Sequence, residues 1–256
     1  MKFAILSSGS KGNSAIIETN NTKILIDLGV SRLYVEKKLA ELNINAYDID
    51  AILITHTHVD HIQGLKVFLK KYKPKVYVTE DILTRLMEYD LNMDYVIYDN
   101  GKAKINDVNV EIIKTSHDAP ESIGFIISSN DKSCVYITDT GYINNKYFEK
   151  LSNKNMYVLE SNHDVEMLMS GSYPHQLKKR ILGNKGHLSN EDAGYYLSLF
   201  AGNNTKNIIL AHLSDDNNTY EKAYDTVKMM LDKRNKKVKN IIIAKQKERT
   251  DLIEIW

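Results

Sequence analysis

Again and again in 256 residues a run of apolar and β-branched residues stops at a histidine or an aspartate, as in AILITHTHVDH (51–61), VEIIKTSH (110–117), VYITD (135–139) and NIILAH (207–212). Short runs this rich in Ile, Val and Leu read as buried strands, which need other layers to cover them. Each one delivers a ligand-type side chain at its C-terminal tip. Strand tips are rigid and hold such groups with little reorganisation. The chain must therefore fold so that several strand ends meet at one edge.

The densest point is ITHTHVDHIQG, residues 54–64. His56 and His58 are two apart at a strand end, so the pleat points both side chains the same way. Asp60 and His61 fall in the turn that opens the next helix. Clustering three imidazoles without a purpose is costly. With His117, Asp139 and His212 the supply is larger than the three or four protein groups one ion needs. Seven groups suit two ions sharing a bridging carboxylate. His and Asp favour Zn²⁺, Mn²⁺ or Fe²⁺, whereas Ca²⁺ asks for more oxygens.

Strand patterns continue elsewhere: KFAIL, SAIIET, KILID, KVYVT, VNVEIIKT, IGFIISS, SCVYITDT, MYVLES, VKNIIIA and DLIEIW. SNDK, residues 129–132, reads as a hairpin turn. Ser31 predicts the N-cap of a helix with Val35, Leu39 and Leu42 on one face. Further helices are expected over 61–72, 80–90, 174–182, 189–200 and 219–234. Strands with helices interspersed, no repeat and no linker predict one α/β domain over residues 1–256, built on two packed sheets.

Composition narrows the class. No run approaches the roughly eighteen apolar residues of a membrane helix, and the N-terminal apolar stretch is too short for a secretion signal. The lone Cys134 sits in an apolar run and excludes an internal disulfide. A soluble, cytoplasmic protein is expected. Formal net charge is +1, so any grip on nucleic acid has to come from a local basic patch.

HTHVDH matches the HxHxDH signature, and with Asp27 in ILIDLG, His117, Asp139 and His212 in order the chain resembles the metallo-β-lactamase superfamily along essentially its whole length. The resemblance implies a four-layered αββα sandwich with its metal site at the sheet edges. It implies that His56, His58 and His117 hold one ion and that Asp60, His61 and His212 hold the other. Asp139 would bridge them, and Asp27 would brace the ligand loop from behind. SSGSKGNS (7–14), ITDTGY (137–142), ESNHDVEML (160–168) and GHLSNEDA (186–193) resemble the YycJ/WalJ branch. That branch implies a cytoplasmic 5′ to 3′ DNA exonuclease linked to mismatch repair, with two divalent ions, Zn²⁺ or Mn²⁺. The short segment between Asp139 and His212 leaves no room for the inserted β-CASP domain of larger relatives.

Such a site suits in-line hydrolysis of a phosphodiester, with Asp60 orienting the attacking water. His187 is expected at the scissile phosphate or the leaving group, beside Ser189 as a helix N-cap whose N–H groups would bind phosphate. His163 with Asn162 is expected to do similar work, against the alternative that Ser161 or Asn162 caps the helix carrying Val165 and Leu168. The loop with Ser8, Lys11 and Asn13 could cradle a phosphate, and Lys178, Lys179, Arg180 and Lys185 could track a DNA backbone. One of Tyr142, Tyr173, Tyr195 and Tyr196 could stack on a base. Two other readings use the same fold: a small-molecule ester, thioester or cyclic-nucleotide hydrolase, and a non-catalytic regulatory module. The intact set of seven ligand-type residues weighs against the last.

Overall fold

The computed structural model describes residues 1–89, 91 and 94–255. The first sheet collects β1 (Lys2–Ser7), β2 (Ser14–Glu18), β3 (Lys23–Ile26), β4 (Ala51–Leu53), β5 (Lys75–Val78) and β6 (Tyr95–Ile97). The second collects β7 (Lys102–Ile105), β8 (Val108–Lys114), β9 (Ile123–Ser129), β10 (Lys132–Ile137), β11 (Met156–Glu160), β12 (Asn207–Ala211) and β13 (Asn240–Ile243). The last strand, β14 (Ile253–Glu254), returns to the first sheet beside β1. The spatial orders are β14-β1-β2-β3-β4-β5-β6 and β13-β12-β11-β10-β9-β8-β7. In each sheet an antiparallel half, β14 to β3 or β7 to β10, continues into a parallel half, β3 to β6 or β10 to β13.

Period-2 alternation explains the layers. Cys134 and Tyr136 of β10 enter the core between the sheets, while Val135 and Ile137 point to the helical side. Both faces are buried, so the strand shows no polar alternation. Helices α1 (Arg32–Ala40), α2 (Val59–Ile62), α3 (Leu65–Tyr72) and α4 (Glu80–Glu88) accompany the first sheet. Val35, Leu39, Phe68 and Leu86 from this group belong to the same core as its strands. The second sheet is followed by α5 (Phe148–Leu151), α6 (Val165–Ser170), α7 (His175–Ile181), α8 (Asn190–Phe200) and α9 (Tyr220–Lys233). Ala193 and Leu197 of α8 and Val227 and Leu231 of α9 pack on its outer face. The result is the four-layered αββα sandwich.

Several local readings change. The helix expected over 61–72 is two helices, α2 and α3, separated at Gly64. A Cβ on Gly64 would stand 2.0 Å from the Val30 carbonyl oxygen, so the chain turns there with no side chain. Gly64 N–H donates to the Leu28 carbonyl at 2.8 Å, which ties this break to the loop after β3. The helix carrying Val165 and Leu168 is capped by Asp164, whose side chain accepts from Met167 N–H, and not by Ser161 or Asn162. Ser189 caps α8. The strands β6 and β7 have no strong pattern in the sequence. Residue 90 of the expected 80–90 helix and residue 256 of DLIEIW lie outside the described residues.

Candidate metal centre

The centre sits where the strands end. Asp27 follows β3, His56 to His61 follow β4, His117 follows β8, Asp139 follows β10, Glu160 closes β11 and His212 follows β12. Asp27, Asp139 and His212 adopt positive φ values of 56°, 54° and 56°. This left-handed conformation costs a non-glycine residue on the order of 1–3 kcal/mol. It lets the backbone turn sharply at the strand tip while the side chain points along the edge. Two loops clamp the histidine turn: Leu28 N–H, after β3, donates to the His61 carbonyl and Asn13 N–H, between β1 and β2, to the Asp60 carbonyl, both at 2.8 Å. Gly29 is required there, since a Cβ would lie 1.6 Å from the Asp60 carbonyl oxygen.

His56, His58 and His117 converge as one group, and Asp60, His61 and His212 as another. Asp139 stands between them. Its Oδ2 is 3.2 Å from His61 Nε2, and its Oδ1 is 3.5 Å from His212 Nε2 and 3.9 Å from His117 Nε2. His56 Nε2, His212 Nε2 and Asp139 Oδ2 are buried and make no hydrogen bond. Leaving such atoms unpaired is costly, and the donor set of imidazoles and carboxylates fits divalent ions.

The electrostatics favour positive charge at this edge: His56 stays neutral, while His61 carries a proton that a bound ion would have to displace. Burial and the neighbouring His61 keep the His56 pKa well below 6.5, so its ring stays neutral and able to donate a lone pair. Burial resists the charge on Asp139, but His212 and His61 outweigh it and hold the pKa well below 3.8. Burial also works against a charged His61; Asp139 and Asp27 overcome it and lift its pKa to about 10.

A second ring of contacts aims these groups. Asp27, fully buried, accepts from Thr55 N–H and Thr55 Oγ1 and pairs with His61 Nδ1, each at 2.8 Å. Fixing Nδ1 this way leaves His61 Nε2 for the centre. Asn13 Nδ2 lies 3.0 Å from His61 Nε2 and 3.3 Å from Asp60 Oδ2. Ser8 Oγ accepts from His212 N–H at 2.8 Å, and Asn162 Nδ2 donates to the His212 carbonyl at 2.9 Å.

Two acidic residues were not anticipated. Glu160 is fully buried, and its Oε1 stands 2.8 Å from both His187 Nδ1 and His212 Nδ1. Its Oε2 accepts from Leu188 N–H at 3.0 Å and Thr140 N–H at 3.2 Å. Burial resists ionisation, but His187 and His212 bring its pKa down to about 2. The signal was present: Glu160 ends the apolar run MYVLE as Asp139 ends its own. The other is Asp118, whose Oδ1 is 3.2 Å from His117 Nε2.

Other expected site residues occupy different positions. His163 is 1% exposed, with neither ring nitrogen hydrogen-bonded, and its backbone pairs with Ser189. Burial lowers its pKa to about 4. It is an interior residue. The N-terminus of α8 is likewise filled: Ser189 Oγ accepts from Asp192 N–H at 3.0 Å and donates to Asp192 Oδ2 at 2.8 Å. This capping box replaces the expected phosphate seat. Ser8, Asn13 and Asn162 use their polar atoms as braces. Lys11 is exposed and paired with Asp215 at 2.6 Å. Lys178 Nζ closes the end of α6 by donating to the Met169 and Gly171 carbonyls at 2.7 Å. Arg180 is exposed and pairs with Asp118, while Lys179 and Lys185 are exposed. Tyr196 packs on Phe200 and accepts from Ile143 N–H, and Tyr173 donates to Asp216. Tyr142 and Tyr195 remain exposed. Cys134 is a buried free thiol.

Residues 22–213 match the family model of the β-lactamase superfamily domain. The match opens before Asp27 and closes after His212, enclosing every histidine and carboxylate of the centre. The chain belongs to the metallo-β-lactamase superfamily. Within this superfamily it is 42% identical over 233 residues to exodeoxyribonuclease WalJ of Streptococcus pneumoniae serotype 2 (strain D39), covering 88% of this chain and 86% of that one. It is 40% identical over 240 residues to exodeoxyribonuclease YycJ of Bacillus anthracis, covering 91% and 90%. The metallo-β-lactamase fold protein YhfI from Bacillus subtilis superposes with a TM-score of 0.72 at 14% identity, over 98% of this chain and 99% of that one. Superfamily membership accounts for the fold; the WalJ and YycJ relatives share the longer stretch that includes the later motifs. Among the described residues no helix is long and apolar enough to cross a membrane.

Proposed function

We propose that the chain is a metal-dependent DNA exonuclease that removes nucleotides in the 5′ to 3′ direction and acts in DNA mismatch repair in the cytoplasm. Support comes chiefly from one observation: seven histidine and aspartate side chains converge at one sheet edge in a chain about two-fifths identical to two exodeoxyribonucleases. His56, His58 and His117 would hold one divalent ion, Asp60, His61 and His212 a second, with Asp139 between them and Zn²⁺ or Mn²⁺ as the metal. Bound there, the ions supply an activated water at neutral pH and offset charge on a phosphate. We further infer one catalytic domain with no β-CASP insertion between Asp139 and His212.

The chain's own residues divide the remaining work. Asp60 retains solvent exposure, at 25% of its side chain, and orients the attacking water. Glu160 holds His187 Nδ1, so Nε2 is the nitrogen through which His187 gives a proton to the leaving 3′ oxygen. Burial disfavours a charged His187, but Glu160 raises its pKa above 6.5 and keeps the proton in place. Arg180, Lys179 and Lys185 offer positive charge for the backbone beside the centre.

The test is metal-stripped protein given 5′- or 3′-labelled duplex DNA with Mn²⁺ or Zn²⁺, beside Asp60→Ala. Stepwise loss from the 5′ end, dependent on metal and absent in the variant, is expected. Turnover of small ester or cyclic-nucleotide reporters without DNA cleavage would move the substrate to small molecules.

A further inference from the structure

Asp118 follows His117 directly, and the seven-residue scheme gives it no role. Its carboxylate nevertheless faces the three-histidine side of the centre. Oδ1 is 3.2 Å from His117 Nε2 and 3.9 Å from His58 Nε2. Ligand atoms about 2.0–2.1 Å from one tetrahedral ion stand roughly 3.3–3.5 Å from each other. Asp118 Oδ1 stands near that spacing from His117 Nε2, at 3.2 Å, and wider, at 3.9 Å, from His58 Nε2. It comes closer to His117 Nε2 than Asp139 does, at 3.2 Å against 3.9 Å. The other oxygen is engaged elsewhere. Arg180 Nε donates to Oδ2, and its Nη2 is in ion-pair contact with the same oxygen. This contact occupies Oδ2 and leaves Oδ1 turned toward the histidines. Arg180 belongs to α7, so this contact also ties the loop after β8 to that basic helix.

We propose that Asp118 is a further metal-ligating carboxylate on the His56, His58 and His117 side, and that Arg180 is the positioning residue that aims it. The proposal rests on the two-ion reading above. Each half then has its own carboxylate, Asp118 on one side and Asp60 on the other, with Asp139 shared, and the three-histidine half would offer five donor groups, a set for a five- or six-coordinate ion. Arg180 keeps its exposed guanidinium at the rim, with 59% of its side chain accessible.

The experiment is calorimetric titration of metal-stripped protein with Mn²⁺ and with Zn²⁺, comparing wild type, Asp118→Asn, His58→Asn and Arg180→Ala. Two binding events are expected for the wild type; a wild type that binds no ion would remove the two-ion reading itself. Asp118→Asn should weaken one event about 10- to 100-fold, the same event that His58→Asn weakens, and leave the other in place. Arg180→Ala should weaken that event less. A Co²⁺-loaded sample gives a second readout, since loss of a carboxylate ligand shifts the visible absorption bands of the affected ion. Asn keeps the size of Asp, and circular dichroism checks that each variant is folded; if Asp118→Asn misfolds, Asp118→Ser takes its place. Titrations and cobalt spectra of a folded Asp118 variant that superimpose on wild type would overturn the role of Asp118 while sparing the two-ion reading. A changed Asp118→Asn with an unchanged Arg180→Ala would overturn the positioning role of Arg180.

Discussion

Replacing Glu160 by Gln is the most direct test of how this edge is held together. The carboxylate is fully buried, and its four contacts are His187 Nδ1, His212 Nδ1, Leu188 N–H and Thr140 N–H. Its pKa falls from 4.5 to about 2, which converts to about 3 kcal/mol of stability for the ionised form. The same attraction also raises the His187 and His212 pKa values, so it is counted once. Gln keeps the shape and its oxygen can still accept from the two backbone N–H groups, but its NH₂ cannot accept from a protonated Nδ1, so the charged pairing with His187 and His212 is lost and both rings must give up the Nδ1 proton. Glu160→Gln should therefore destabilise the metal-stripped protein by about 3 kcal/mol at pH 7. The sign with pH follows from the lowered pKa. The contribution of the carboxylate is complete above pH 4.5 and declines as pH falls toward about 2. Urea unfolding of wild type and variant at pH steps between 7 and roughly 3.5 would measure it, and the gap between them should narrow over the acid steps. In the loaded enzyme the variant also loses the group that keeps a proton on His187, so the basic limb of the kcat profile should move to lower pH. Equal stability at pH 7, or a gap that does not change with pH, would refute this account of Glu160.

Three further outcomes follow from individual contacts. Asp27→Asn can no longer accept from both Thr55 and His61 Nδ1, and ion affinity should fall about 10- to 100-fold, read by metal titration. Gly64→Ala would place a Cβ 2.0 Å from the Val30 carbonyl oxygen and should cost about 1–3 kcal/mol, read as a lower midpoint in thermal or urea unfolding. Lys179→Glu with Lys185→Glu should weaken DNA binding and make its salt dependence shallower by roughly two units of slope, with hydrolysis of a small phosphodiester reporter unchanged. Unchanged salt dependence would take these lysines out of the DNA path.

Much of the frame was readable without coordinates because its causes are local. The pleat repeat of two residues put His56 and His58 on one side, and apolar runs announced strands covered on both faces. Ser31 and Ser189 marked helix starts because an N-cap is decided by a side chain and the N–H groups two or three residues on. Short strands such as β6 and β7 escaped because three or four residues carry too little periodicity to register. The break at Gly64 escaped for a different reason: the group that excludes a side chain there is the carbonyl of Val30, which belongs to another loop.

By itself, then, the sequence determined the strand-and-helix makeup, the presence of a histidine-aspartate centre and the side of the sheets on which it lies. Each of these follows from neighbours along the chain. Tertiary structure decided which polar side chains face the centre and which brace it. Glu160 meets His187 and His212 across 27 and 52 residues of chain. Asp118 meets Arg180 across 62. His163, beside Asn162 in sequence, turns inward while Asn162 reaches the His212 carbonyl. A side chain's chemistry is written in its own residue type, but its partner is set by where distant strands stop along a shared edge, and that is settled only when the sheets pack.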